Sequence, residues 1–132
     1  MRIIITGGAG FIGHYVIQEL ITKGHQITVA DNLSKDKSKI PKNVNFINVD
    51  LTNKKRTVEA FQGHDICINL ASLIGGIGYF HKLPATILSE NNKIYSSTFE
   101  AVVKTKIKRM VYVSSSMVFE STNIFPSKEA DI

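Results

Sequence analysis

The stretch that decides the fold is Arg2-Ile3-Ile4-Ile5-Thr6-Gly7-Gly8-Ala9-Gly10-Phe11-Ile12-Gly13-His14-Tyr15-Val16. Residues 2–5 are a short apolar run rich in β-branched side chains, which predicts a buried strand. Beyond the glycines, apolar residues at 12, 16, 17, 20 and 21 recur at helical spacing. The order is therefore strand, glycine turn, helix. Gly8, Gly10 and Gly13 fit G-x-G-x-x-G, while Gly7, Gly10 and Gly13 fit G-x-x-G-x-x-G. Gly7 or Gly8 permits the sharp turn off the strand, and Gly13 lets the helix pack closely on the sheet. Gly10 has no side chain to hold a pyrophosphate away from the backbone, and the N–H groups that open the helix face such an anion.

A chain of 132 residues is one domain's worth and can bury a core. No apolar run approaches the length of a membrane span, and the first residues enter a strand rather than a signal peptide. Neither reading brings in a membrane. The single cysteine, Cys67, excludes an internal disulfide and fits a reducing cytoplasm. It stands in the apolar run Ile66-Cys67-Ile68, as a buried structural thiol does. The net charge of +5 raises nucleic acid as a partner. The lysines are scattered, however, over a loop at 35–42, a helix start at 54–55 and a helix end at 104–109, with no interleaved aromatics. They predict a solvated basic surface, and no nucleic-acid partner is expected.

After Lys23-Gly24-His25 stops the first helix, residues 26–30 form a second strand ending on Asp31. Asp31 lies 21 positions beyond Gly10, about where a dinucleotide-binding fold places the carboxylate that accepts from the adenosine ribose. That carboxylate repels a 2′-phosphate and favours NAD over NADP, although Lys35, Lys37 and Lys39 in the next loop keep NADP open. A third strand at 44–49 ends in Asp50-Leu51, and Thr52 is the expected cap of a helix stopped by Gly63. A fourth strand at 65–71 leads into a glycine-rich loop over 72–82. Pro84 opens a long helix reaching about Lys104, and a fifth strand at 110–113 ends in Ser114-Ser115-Ser116. His25 and His64 sit in turns before strands and read as structural, while His81 lies in the glycine loop, where it can face a substrate. No metal-ligating cluster is expected.

Alternating strands and helices predict an α/β fold with a parallel sheet and right-handed crossovers. By analogy with dinucleotide-binding folds this is a Rossmann-type doubly wound sheet in the order 3-2-1-4-5. The strand ends carrying Gly7, Asp31, Asp50, Ala71 and Ser115 then open on one edge.

The ordered series Thr6-Gly7-Gly8-Ala9-Gly10-Phe11-Ile12-Gly13, Asp31-Asn32-Leu33, Asp50-Leu51, Asn69-Leu70-Ala71-Ser72, Asn91 and Ser114-Ser115-Ser116-Met117-Val118-Phe119 resembles the extended short-chain dehydrogenase/reductases. Among these it is similar to the NAD-dependent nucleotide-sugar epimerases and dehydratases, over essentially the whole chain. The resemblance implies NAD as cofactor, with the backbones of Phe11 and Ile12 on its pyrophosphate and Asp31 and Asn32 on its ribose. It further implies adenine at Asp50 and Leu51, cofactor contacts from Leu70, Ala71 and Ser72, and Asn91 reaching toward the cofactor. Counted back from Val118-Phe119, Ser115 takes the catalytic serine position and also contacts the cofactor, with Ser116 next in line as the catalytic serine.

In such enzymes the serine works with a Tyr-x-x-x-Lys pair, which occurs nowhere in these residues; Tyr79 and Lys82 are three apart. The resemblance therefore implies that residues 1–132 are the NAD-binding domain of a longer protein whose catalytic and substrate-binding C-terminal part is absent. Alone, the chain is expected to be inactive, and a nucleotide sugar is the substrate of the parent. A homodimer stays open as its assembly. The loop at 75–80 resembles that of GDP-sugar 3,5-epimerases and GDP-fucose synthases, which carry a cysteine where Met117 stands. The competing reading is a non-catalytic NAD-binding module or sensor.

Overall fold

Ile3, Ile4 and Ile5 are all buried, because strand β1 (Arg2–Thr6) lies at the centre of the sheet with helices on both faces. The computed structural model describes residues 1–34, 40–115 and 123–131. The elements that follow β1 are α1 (Phe11–Thr22), β2 (Gln26–Asp31), β3 (Asn45–Asn48), α2 (Lys54–Phe61), β4 (Ile66–Asn69), α3 (Ile77–Lys82), α4 (Pro84–Lys104) and β5 (Arg109–Tyr112). A short 3₁₀ turn at Glu129–Asp131 completes them. All pairings are parallel and the strand order is 3-2-1-4-5, as expected.

Alternation along the strands sorts the core into two layers. Ile3, Ile5, Ile27 and Val29 pack with Ile17 of α1 on one face. Ile4, Ala30 and Cys67 pack on the other with Ala60 and Phe61 of α2 and Ala101 of α4. Burial pushes the Cys67 thiol up to about 12, so it stays protonated. The register sets Thr6 beside both Ala30 and Asn69, Asp31 beside Asn48, and Asn69 beside Tyr112. All five strands thus end together. At the opposite edge, Arg2 grips Asp65 with its guanidinium (3.0 Å) and its backbone N–H (3.0 Å), and this holds the Asp65 carboxyl well below the usual carboxylate range.

Three local expectations change. Asn53, not Thr52, caps α2: its Oδ1 accepts from the Arg56 N–H at 3.1 Å, while the Thr52 hydroxyl is spent on Asp50. The glycine loop contains a short helix, α3, and the third and fourth strands are shorter than the apolar runs that announced them.

Candidate functional site

The turn after β1 is built on close approach. Gly7 has φ +67°, and a Cβ there would lie 2.7 Å from the backbone of Ala71, just past β4. Only glycine satisfies both conditions. Of the two candidates for the sharp turn, Gly7 is the one that makes it. Gly13 approaches the turn itself most closely, where a Cβ would run into the Gly8 backbone. Gly8 is the residue that lies against the sheet, 2.9 Å from the Val29 methyl groups by the same measure.

Gly10 stands at the N-cap of α1 and contributes no capping side chain, so the N–H groups of Phe11, Ile12 and Gly13 have no intrahelical acceptor. They open on a cleft of about 410 Å³ at the carboxyl ends of the strands. Phe11 and Ile12 are 71% and 59% exposed, so Ile12 belongs to the cleft rim rather than to the buried face its spacing suggested. The cleft is lined by the turn (Gly7, Ala9, Gly10, Phe11, Ile12, Gly13), by Asp31, Asn32 and Ser34, by Val49, Asp50 and Leu51, and by 70–74 with Ile94. Of the expected cofactor contacts, all from Gly7 to Ser72 therefore meet in one place.

Asp31 does more than face the cleft. Its Oδ2 accepts from the Ala9 N–H at 3.1 Å and its Oδ1 from the Leu33 N–H at 2.8 Å, tying β2 to the glycine turn. Each oxygen retains a further lone pair for a ligand donor. The Asn32 side chain accepts from the Ser34 N–H at 3.0 Å. Asp50 holds its Oδ1 against the Thr52 N–H (2.9 Å) and hydroxyl (2.8 Å).

Asn91 does not line the cleft. Its amide accepts from the Leu73 N–H (2.7 Å) and donates to the Leu73 carbonyl (3.0 Å), and its Oδ1 also accepts from the Ser72 hydroxyl at 3.1 Å. It fixes the cleft wall from behind. Ser115 is exposed beyond β5 and is not among the lining residues; Ser116, Met117 and Val118 lie outside the described residues, as do Lys35, Lys37 and Lys39. His64 is structural as expected, bridging the Phe61 carbonyl (3.2 Å) and the Thr28 hydroxyl (2.9 Å), and His81 lies on α3 and is not among the residues that line the cleft.

Three buried hydroxyls, those of Thr6, Ser97 and Thr57, make contacts that were not visible from spacing. The Thr6 hydroxyl donates to Asn69 Oδ1 at 2.6 Å and accepts from the Ala71 N–H at 3.3 Å, pinning β1 to β4 where the strand order reverses. That is the point at which open α/β sheets bind ligands. Ser97 of α4 donates to the Leu51 carbonyl, and Thr57 of α2 to that of Asn53 (2.8 Å).

Residues 3–132 match the family model described as the NAD dependent epimerase/dehydratase family. The chain belongs to that family. It is 32% identical over 122 residues to a UDP-N-acetyl-alpha-D-glucosaminuronate decarboxylase of Bacillus cytotoxicus, an alignment covering 89% of this chain and 37% of that protein. Among solved structures, the UDP-glucose 4-epimerase of Thermotoga maritima, crystallised with UDP-glucose, superposes with a TM-score of 0.89 at 28% identity. That match covers all of this chain and 44% of the other. The UDP-glucose 4-epimerase of Thermus thermophilus in complex with NAD gives a TM-score of 0.79 at 29% identity, covering 87% and 38%. The chain thus spans about two fifths of the length of these family members. Among the described residues, no helix is long and apolar enough to cross a membrane.

Proposed function

We propose that residues 1–132 are the NAD-binding domain of an enzyme that remodels a nucleotide sugar through transient hydride transfer at a sugar carbon. The observation that carries this reading is the cleft: open helix N–H groups, a side-chain-free Gly10 and the Asp31 carboxylate converge at the point where the strand order reverses. These residues fit a dinucleotide. A Cβ on Gly10 would meet only the Gly7 carbonyl, at 3.1 Å, so the glycine leaves the space beside the helix start open to a diphosphate.

In this reading Phe11, Ile12 and Gly13 donate backbone hydrogen bonds to the pyrophosphate, and Asp31 with Asn32 receives the ribose hydroxyls. Asp50 and Leu51 border the adenine. Leu70, Ala71 and Ser72 continue the wall toward the reacting end, and Asn91 holds that wall in place through Leu73. Bound NAD supplies the hydride acceptor. Ser115 can hydrogen-bond a sugar hydroxyl, but a serine hydroxyl is too weak a base to take its proton. The Tyr-x-x-x-Lys pair that does so in similar enzymes does not occur in residues 1–132. A second reading is a non-catalytic NAD module.

Calorimetry on Gly10→Val tests the site. A folded variant that no longer binds NAD is expected, because the new side chain occupies the diphosphate's space. Unchanged affinity contradicts the proposal. Turnover separates the two readings: residues 1–132 are expected to show none on UDP-sugars with NAD saturating. Activity regained with an in-frame continuation carrying Tyr-x-x-x-Lys supports the enzyme, and a gene without one supports the module.

A further inference from the structure

Leu51 and Thr52 share one peptide unit, and its two polar atoms are held from opposite sides. The oxygen, on Leu51, accepts from the Ser97 hydroxyl of α4, and among the described residues no backbone N–H in a turn or loop reaches it. The N–H, on Thr52, donates to Asp50 Oδ1 at 2.9 Å. In a trans peptide these groups point in opposite directions within one plane, so gripping the oxygen fixes where the N–H aims. Ser97 and Thr57 are both completely buried, and their hydroxyls lie 3.2 Å apart. Each has one proton to give. Thr57 spends its own on the Asn53 carbonyl at 2.8 Å, against 3.3 Å to Leu51, and Ser97 is left to satisfy Leu51. A buried carbonyl without that donor drives its peptide to rotate in search of another, and the rotation withdraws the N–H from Asp50.

We infer that Ser97 is a positioning residue for base recognition. By locking the Leu51–Thr52 peptide it aims the Asp50 carboxylate, and so sets the preference of the cleft for a base bearing an exocyclic amino group over one bearing an oxo group. The inference rests on reading Asp50 as the adenine's partner. Asp50 lines the cleft, and its Oδ1 alone is engaged among the described residues, which leaves Oδ2 for such an amino group. An amino group donates to a carboxylate, whereas a carbonyl oxygen in its place repels one.

The experiment measures affinities for NAD and for nicotinamide hypoxanthine dinucleotide, in which an oxo group replaces the amino group and the adjacent ring nitrogen gains a hydrogen, in the unaltered chain and in Ser97→Ala. The unaltered chain is expected to favour NAD by roughly tenfold, one charge-assisted hydrogen bond's worth. In Ser97→Ala the NAD affinity is expected to fall until the preference is about twofold or less, with affinity for the hypoxanthine analogue nearly unchanged. Ser97→Thr, which keeps the hydroxyl, is expected to restore the preference. A parallel loss for both dinucleotides, or an unchanged ratio, overturns the positioning role. If Ser97→Ala does not fold, Ser97→Cys, a near-isostere and weak donor, is read the same way. A chain that folds with neither variant assigns Ser97 to core stability and also overturns the inference. Failure of the underlying reading looks different: the unaltered chain then binds the two dinucleotides equally, or binds neither.

Discussion

Gly7 and Gly24 share a left-handed backbone, with φ of +67° and +74°, but not a neighbourhood. A Cβ on Gly24 would meet nothing within 4 Å, whereas one on Gly7 would press into the backbone of Ala71 at 2.7 Å. Gly24→Ala therefore carries only the conformational cost of an L-residue in that region, about 1 kcal/mol. Gly7→Ala adds overpacking against backbone that cannot rotate away, for a total of roughly 3 kcal/mol or more. Denaturant unfolding of the two variants should show that separation, and only Gly7→Ala should also lose cofactor affinity. Equal losses would mean that the β1–β4 junction yields more readily than its geometry implies. At this scale sequence reading was strong where one residue type answers one physical demand, as at the turn after β1, where only glycine fits at Gly7. It was weak for buried hydroxyls. Spacing gives no signal for Ser97, because the carbonyl it satisfies lies 46 residues away.

Among the elements, the long helix was legible from its N-terminal proline to its last lysine, since Pro84 at the first turn and the helical spacing agree. The short helix α3 was not. Its six residues include a glycine and two aromatics, too few to display a period, and the glycines around it signal a loop. The connection from β4 to α3 is held instead by Asn91 of α4, which uses both ends of its amide on Leu73. Asn91→Ala removes these contacts without creating a clash, so the wall should loosen while the sheet stays intact. Hydrogen exchange should show the Leu73 amide losing protection while the amides of β1 and β2 keep theirs. Protection unchanged at Leu73 would show that the loop holds itself in place.

Across the whole molecule, the parallel register brings Thr6, Asp31, Asn48, Asn69 and Tyr112 to one edge, and residues distant in sequence become one cleft. That convergence was legible because strand–helix alternation leaves few topologies, and right-handed crossovers remove most of the rest. The chemistry at the reacting end was less legible, since Ser115 stands exposed past β5 and Ser116 falls outside the described residues. At the other end of the cleft, a carboxylate fixed by two backbone N–H groups stands where the ribose is proposed to bind. A 2′-phosphate there brings negative charge against Asp31 at a few ångströms. Calorimetric titration of the chain with NAD and with NADP, at one low ionic strength, tests this most directly. Binding of NAD at least tenfold tighter than NADP is the predicted result. Equal affinities, or a preference for NADP, would contradict it.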